Sequence, residues 1–126
     1  MTASPYADRI ADLAERADAE RSGFEPPVSV PDKERALGYL REGFGPAVAV
    51  YLEARTGGDH VRFTASELSR LERAANDWLT LYLRCYGSDR DPDVTIREAA
   101  EVFVETHNVS DTAQLLTDVP PRHSDR

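Results

Sequence analysis

The acidic loop after the longest predicted helix contains the residues whose spacing best matches a ligand-binding motif. Asp89, Asp91 and Asp93 alternate with other residues, as the first ligands of a calcium loop do. The match then fails, because Val94 stands where such a loop needs glycine and Ala100 where it needs a bidentate glutamate. We therefore predict no metal or cofactor. The three aspartates are weak candidates for a cation contact and also suit the approach to a helix N-terminus.

Cys85 is the one cysteine, so the chain cannot form an internal disulfide. A thiol nucleophile would need a neighbouring histidine, and the chain offers only His60, His107 and His123. Cys85 falls near the end of a predicted helix, where the partial negative charge raises a thiol pKa. We expect a buried structural cysteine, and we assign no catalytic residue.

The segment from Ile96 to Leu116 contains two short amphipathic helices, as a DNA-binding helix-turn-helix would. The spacing between them is about one helical turn too long for the compact motif. The second helix carries no base that could neutralise a phosphate, and it offers these polar side chains: Asp111, Thr112, Gln114, Thr117 and Asp118. A nucleic-acid partner is therefore disfavoured, although a nucleic-acid-binding regulator is kept as an alternative.

The elements that would position these groups are predicted most clearly between Val50 and Tyr86. Gly57-Gly58 suits a two-residue type I′ turn, which predicts a β-hairpin over about 48–56 and 60–64. In that register one face collects Val50, Leu52, Ala54, Val61 and Phe63. The alternative is a short helix from Pro46 to Arg55, with proline in its first turn and glycine just after its end.

A central helix over about 65–86 is predicted by the capping box Thr64-Ala-Ser-Glu67 and by the stop signal at Gly87. Its apolar stripe contains Leu68, Leu71, Ala75, Trp78, Leu79, Tyr82 and Tyr86. Beyond residue 78 the apolar side chains spread around the helix, which predicts either a core position or a subunit interface. The candidate interface residues are Trp78, Leu81, Leu83 and Tyr86.

Four further helices complete the prediction. Ser4 caps the first, Asp32 the second, Thr95 opens another with a second capping box, and Ser110 caps the last. We expect an N-terminal helix over 1–23, a proline-rich linker over 24–31, one globular domain over 32–119 and a disordered tail over 120–126. Val28 to Val30 is a candidate edge strand. The predicted fold class is α+β and predominantly helical, with an all-α fold as the alternative.

The charge balance narrows the possible environment and partners. The 126 residues include 23 acids and 15 bases, a net charge of −8, and Lys33 is the one lysine. Acid surplus, scarce lysine and abundant Ala, Asp, Thr and Val resemble small cytoplasmic proteins of halophilic archaea, where molar salt screens self-repulsion. That resemblance implies an uncharacterised family and transfers no site residue. The alternative is a GC-rich genome that encodes arginine in place of lysine.

The remaining sequence features favour a cytoplasmic protein. The longest apolar run, Ala47 to Leu52, is too short to cross a bilayer, and the N-terminus lacks the layout of a signal peptide. We expect a non-catalytic protein–protein interaction module that binds a protein partner or itself, as a homodimer, and no membrane. The alternatives are the helix-turn-helix-like regulator and an enzyme whose carboxylates converge only in three dimensions.

Overall fold

The computed structural model describes residues 4–56 and 62–121. Within these two ranges the chain is all-helical, and no strand occurs in them. The elements in chain order are α1 (Ala7–Ser22), α2 (Lys33–Tyr39), a π-helix (Leu40–Phe44), α3 (Gly45–Thr56), α4 (Ala65–Cys85), α5 (Ile96–Thr106) and α6 (Val109–Thr117). The α+β prediction is therefore wrong, and the all-α alternative fits.

The predicted β-hairpin fails because its first strand is the helix α3. Apolar and polar residues that alternate over so few positions fit either a strand or a helix. The buried side chains of α3 recur at steps of three and four residues, which places them on one face of a helix. That set is Ala47, Val48, Val50, Tyr51 and Ala54. Arg62 and Phe63, assigned to the second strand, lie in no strand. The Gly57-Gly58 turn and Val61 lie outside the described residues. The rejected short helix from Pro46 to Arg55 is the correct element.

The helix α3 forms because helical structure is already nucleated before it. The run α2, π-helix and α3 is continuous, so α3 only propagates an existing helix. Pro46 lacks the N–H that an α-helix would direct at the Glu42 carbonyl. Arg16 Nη1 donates to that oxygen instead, at 3.1 Å. The Gly45 N–H reaches back five residues to Leu40 O, which marks the wider π-turn.

The helix α4 is the centre of the fold, and α1, α2, the π-helix, α3 and α5 pack around it, whereas α6 packs on α5 and the π-helix. Its predicted capping box is confirmed, since Thr64 Oγ1 accepts from Glu67 N at 3.0 Å and Glu67 Oε1 accepts from Thr64 N at 2.9 Å. The second carboxylate oxygen of Glu67 accepts from Ser4 N at 2.9 Å, which holds the start of the chain to α4. Gly87, with φ of 78°, ends the helix in the left-handed conformation that favours glycine.

The helix α1 packs on α4 through apolar and polar contacts. Ile10 and Leu13 are buried, and the Trp78 indole N–H donates to Leu13 O at 3.2 Å. Arg21 Nη1 lies 2.8 Å from Asp77 Oδ1, a largely buried carboxylate on α4. The polar atoms that α1 and α4 bury against each other are therefore paired.

The residue that precedes each helix can be compared with the predicted N-cap. Asp32, Thr95 and Asn108 each accept a backbone N–H from three residues later, so the caps predicted at Asp32 and Thr95 are confirmed. The second capping box is only half formed, because the Glu98 carboxylate does not accept from the Thr95 N–H. Asn108 takes the place predicted for Ser110, because α6 begins two residues earlier. Ser4 forms a turn before α1 rather than capping it directly.

The segment 24–31, here called the strap, connects α1 to α2 across one end of α4. Arg35 Nη1 donates to Glu25 O at 2.9 Å, and Asp32 N donates to Cys85 O at 2.9 Å. Both ends of the strap are therefore held to helices.

The middle of the strap forms a bend, so the predicted edge strand is wrong. Pro27 and Pro31 flank this bend, and neither has an N–H with which a strand ladder could be extended. Val30 contacts Gly87, whereas Val28 is fully exposed. In the described part of the chain, no helix is long and apolar enough to cross a membrane.

Candidate functional site

An open groove between α3 and α5 is more voluminous than four other clefts in the described part of the chain. Its volume is about 470 Å³, and the other four have about 150 to 310 Å³. We call it the α3–α5 groove. It is lined by Tyr51, Leu52, Arg55, Arg97, Ala100, Glu101, Val104 and Glu105.

The floor of the α3–α5 groove is apolar. Tyr51 and Ala100 are buried, and Leu52 is half-buried. Val104 stands at the edge of this floor with 51% of its surface exposed, one of four large apolar residues that the described chain leaves open. An exposed valine beside an apolar floor gives a partner a surface to cover.

The position of the Tyr51 ring is fixed from both sides. The ring stacks on Phe63 with centroids 6.4 Å apart. The Arg55 guanidinium lies 5.7 Å from the centroid of the same ring and donates to the Tyr51 hydroxyl at 3.3 Å. This wall of the groove is therefore already ordered in the single chain.

The rim of the groove carries two positive and two negative charges. Arg97 Nε pairs with Glu101 Oε2 at 3.1 Å within α5, and both side chains are exposed. Arg55 on α3 and Glu105 on α5 form no ion pair within residues 4–56 and 62–121. The groove is locally neutral on a chain whose net charge is −8.

A comparison with known families places the whole described region in one family. A family model described as Domain of unknown function (DUF8055) matches residues 4–121. The chain belongs to the DUF8055 family. No curated protein and no solved structure matches it. Every described helix of this DUF8055 protein lies within the matched residues.

The four candidate interface residues lie at one end of α4 but differ in exposure. Trp78, Leu81 and Leu83 are buried by other helices of the same DUF8055 chain. Tyr86 is half-buried, with its ring 5.2 Å from that of Tyr82. An interface formed by these residues stays a prediction, and Tyr86 is the member that a partner could reach.

The structure brings two of the three candidate aspartates together. Asp91 and Asp93 line a cleft of about 240 Å³ with Glu98, whereas Asp89 is not among its lining residues. Arg84 Nη2 lies 2.9 Å from Asp91 Oδ1, so Asp91 already has a positively charged partner. No group of three or more potential metal-ligating side chains occurs among the described residues of this DUF8055 protein. The cation contact stays a prediction.

Cys85 and the histidines do not form a reactive pair in the described chain. Cys85 is fully buried, and burial raises the pKa of its thiol to about 11. His107 is exposed at the C-terminal end of α5 with φ of 53°. His60 and His123 lie outside the described residues.

The predicted helix-turn-helix segment forms a short helical hairpin. Because α5 extends to Thr106, only His107 and Asn108 separate it from α6. The α6 sequence contains Asp111 and no lysine or arginine. Thus α6 presents no positive charge to a phosphate backbone.

Proposed function

We propose that this DUF8055 protein is a non-catalytic protein–protein interaction module whose contact surface is the α3–α5 groove. The observation that carries the proposal is the apolar floor of the groove with the exposed Val104 at its edge. Interfaces place apolar residues at their centre and charged residues around them. The groove has that arrangement, with Arg55 and Glu105 on its rim.

The shape of the groove supports a helical partner segment. A cleft between two helices accepts the apolar face of a third helix, which inserts side chains at steps of three and four residues. The stacked Tyr51 ring and the buried Ala100 are already held by the fold, so little side-chain ordering opposes binding. The charged rim would then select the partner by its own charges.

The net charge favours a protein partner over nucleic acid, and the helix-turn-helix-like regulator is the less supported alternative. A chain of charge −8 repels phosphate backbones at low salt, and α6 adds no base. We also propose a cytoplasmic location in a salt-rich cell. The acid surplus supports it, because molar salt screens the repulsion between acidic side chains.

A photo-crosslinking amino acid at position 104, introduced in the native cell, tests the proposed surface. Position 115 on α6 is the matched control, because Leu115 is also an exposed apolar residue, at 44%. We expect position 104 to give a discrete crosslinked product that position 115 does not give. Identical crosslinked products from the two positions would contradict the proposal, since they would show that the protein's contacts are not confined to the α3–α5 groove.

A further inference from the structure

We propose that the α3–α5 groove binds the same groove of a second copy of this chain, with the two copies related by a twofold axis. This inference rests on the proposed function and specifies its partner. The charges on the rim of the groove support a second copy as that partner.

Repulsion between two acidic chains limits the surfaces through which they can associate. Two copies of charge −8 repel each other, so a face that joins them must add little charge of its own. The rim of the α3–α5 groove meets this condition, since its two arginines balance its two glutamates. A second copy can approach this surface without bringing like charges into contact.

The charged side chains of the α3–α5 groove can complement those of a second, identical groove. A twofold interface presents the same patch from both copies, so each group must find its complement elsewhere in that patch. Arg55 and Glu105 line the same groove on different helices and have no ion-pair partner within the described residues. A twofold axis through the groove can bring Arg55 of one copy to Glu105 of the second copy, and the reverse pair follows by symmetry.

The apolar residues are complementary in the same way. Val104 forms a ridge beside the floor, and the small side chain of Ala100 leaves space next to it. Val104 of each copy can therefore lie over Ala100 and Leu52 of the other. The interface would have an apolar centre and charge pairs at its margin.

A second neutral cleft between α1 and α3 is a weaker candidate for self-association. It is lined by Asp8, Arg9, Asp12 and Arg16 among others. Both of its arginines are already engaged, because Arg9 pairs with Glu53 and Arg16 with Asp12. Their charges are therefore satisfied within one chain.

Sedimentation equilibrium of the purified full chain tests the apolar contact. We expect a dimer for the unmodified protein, and we expect Val104→Asp to raise the dimer dissociation constant by at least about tenfold. Leu115→Asp adds the same charge at a similarly exposed apolar site and should leave the constant unchanged. Both variants should keep the helical circular dichroism of the parent, because neither side chain is in the core.

A charge exchange tests the twofold arrangement itself. At about 0.15 M KCl, where the Debye length is about 8 Å, Arg55→Glu and Glu105→Arg should each weaken the dimer by about tenfold. The double variant restores opposite charges across the interface and should regain most of the lost affinity. Arg9→Glu changes the net charge as Arg55→Glu does, but outside the groove, and should leave the dimer intact. Raising KCl to about 1 M should reduce the effect of each charge reversal, because salt screens the ion pairs at the margin of the interface.

The possible failures are distinguishable. A purified protein that stays monomeric under both salt conditions overturns self-association. A dimer that Val104→Asp leaves unchanged overturns the α3–α5 groove as its interface. If position 104 nevertheless crosslinks to a different protein in the cell, the groove remains an interaction surface with another occupant. If positions 104 and 115 give identical crosslinked products, the proposed function is overturned instead.

Discussion

The backbone of Gly43 lies directly against the indole ring of Trp78, so that a Cβ atom at position 43 would overlap the ring. Trp78 is buried, and its N–H donates to Leu13 O. The ring is thus fixed by α1 on one side and by the π-helix on the other. Only a residue without a side chain fits at position 43, and this contact sets how closely the run from α2 to α3 approaches α4.

Gly43→Ala should therefore destabilise the protein by about 2 kcal/mol or more, because the indole ring cannot move without disturbing its bond to α1. Urea unfolding followed by circular dichroism measures the change. Gly38→Ala is the matched control, since a Cβ at position 38 meets nothing within 4 Å. That control should be neutral or stabilising by about 0.4–1 kcal/mol. Equal effects of the two substitutions would show that overlap with Trp78 is not the cause.

The Glu67 carboxylate should make part of the stability depend on pH. Hydrogen bonds from the Thr64 and Ser4 backbones hold the pKa of Glu67 below its ordinary value of 4.5. The folded-state pKa is lowered, so this stabilisation is fully present above pH 4.5 and is lost as pH falls through the folded pKa. Glu67→Gln should be less stable than the parent at neutral pH by about 0.5 kcal/mol, a small value because the half-buried carboxylate is still screened by solvent.

Urea unfolding at a series of pH values tests this, and the difference between parent and Glu67→Gln should close in acid. Glu98 occupies the equivalent position in α5, and its carboxylate accepts no hydrogen bond in the described chain. Glu98→Gln is therefore the control. A difference for Glu67→Gln that stays constant down to the acid limit would rule out the carboxylate as its source.

Cys85 should report on unfolding rather than react in the folded state. Its side chain has no exposed surface, and burial raises the pKa of the thiol to about 11. Iodoacetamide at neutral pH should label the folded protein only through transient opening, so labelling should accelerate in Gly43→Ala. Rapid labelling of the unmodified protein, at the rate of an unfolded peptide, would contradict this.

The hydroxyl of Tyr82 ties the segment after α6 to the central helix. It donates to Val119 O at 2.6 Å, and burial raises the pKa of the phenol. Tyr82→Phe leaves the Val119 carbonyl with only the longer hydrogen bond from Thr117 Oγ1, at 3.4 Å. It should lower the free energy of unfolding by about 1 kcal/mol. Tyr6→Phe is the control in the same urea titration, because the Tyr6 hydroxyl forms no hydrogen bond within the described residues. If only Tyr82→Phe lowers the free energy of unfolding, the hydrogen bond to Val119 O is the source of the loss.

The elements that the sequence predicts correctly are those whose signals are local. The Thr64 capping box, the Asp32 and Thr95 caps and the glycine stop at Gly87 each depend on atoms within a few residues. The segment around Val50 carries no such signal, because its apolar alternation suits a strand or a helix. Its state is decided by the helix that precedes it and by burial against other elements.

The α3–α5 groove could not be predicted for the same reason. It requires α3 to be a helix and to lie beside α5, and this pairing is set by tertiary packing. The sequence did contain one local indication, an apolar Val104 between Glu101 and Glu105 and outside the stripe of Ala99, Ala100 and Phe103. The contact between Gly43 and Trp78 was equally hidden, since 35 residues separate the two partners in the chain.

The strap is also a place where the backbone could be cut without removing a core residue. Its tip at Val28 takes no part in the core, while α1 is held independently at Ser4, Leu13 and Arg21. A backbone opened between residues 28 and 29 would thus leave two pieces that still recognise each other. This position is therefore a natural site for splitting the protein into two complementing fragments.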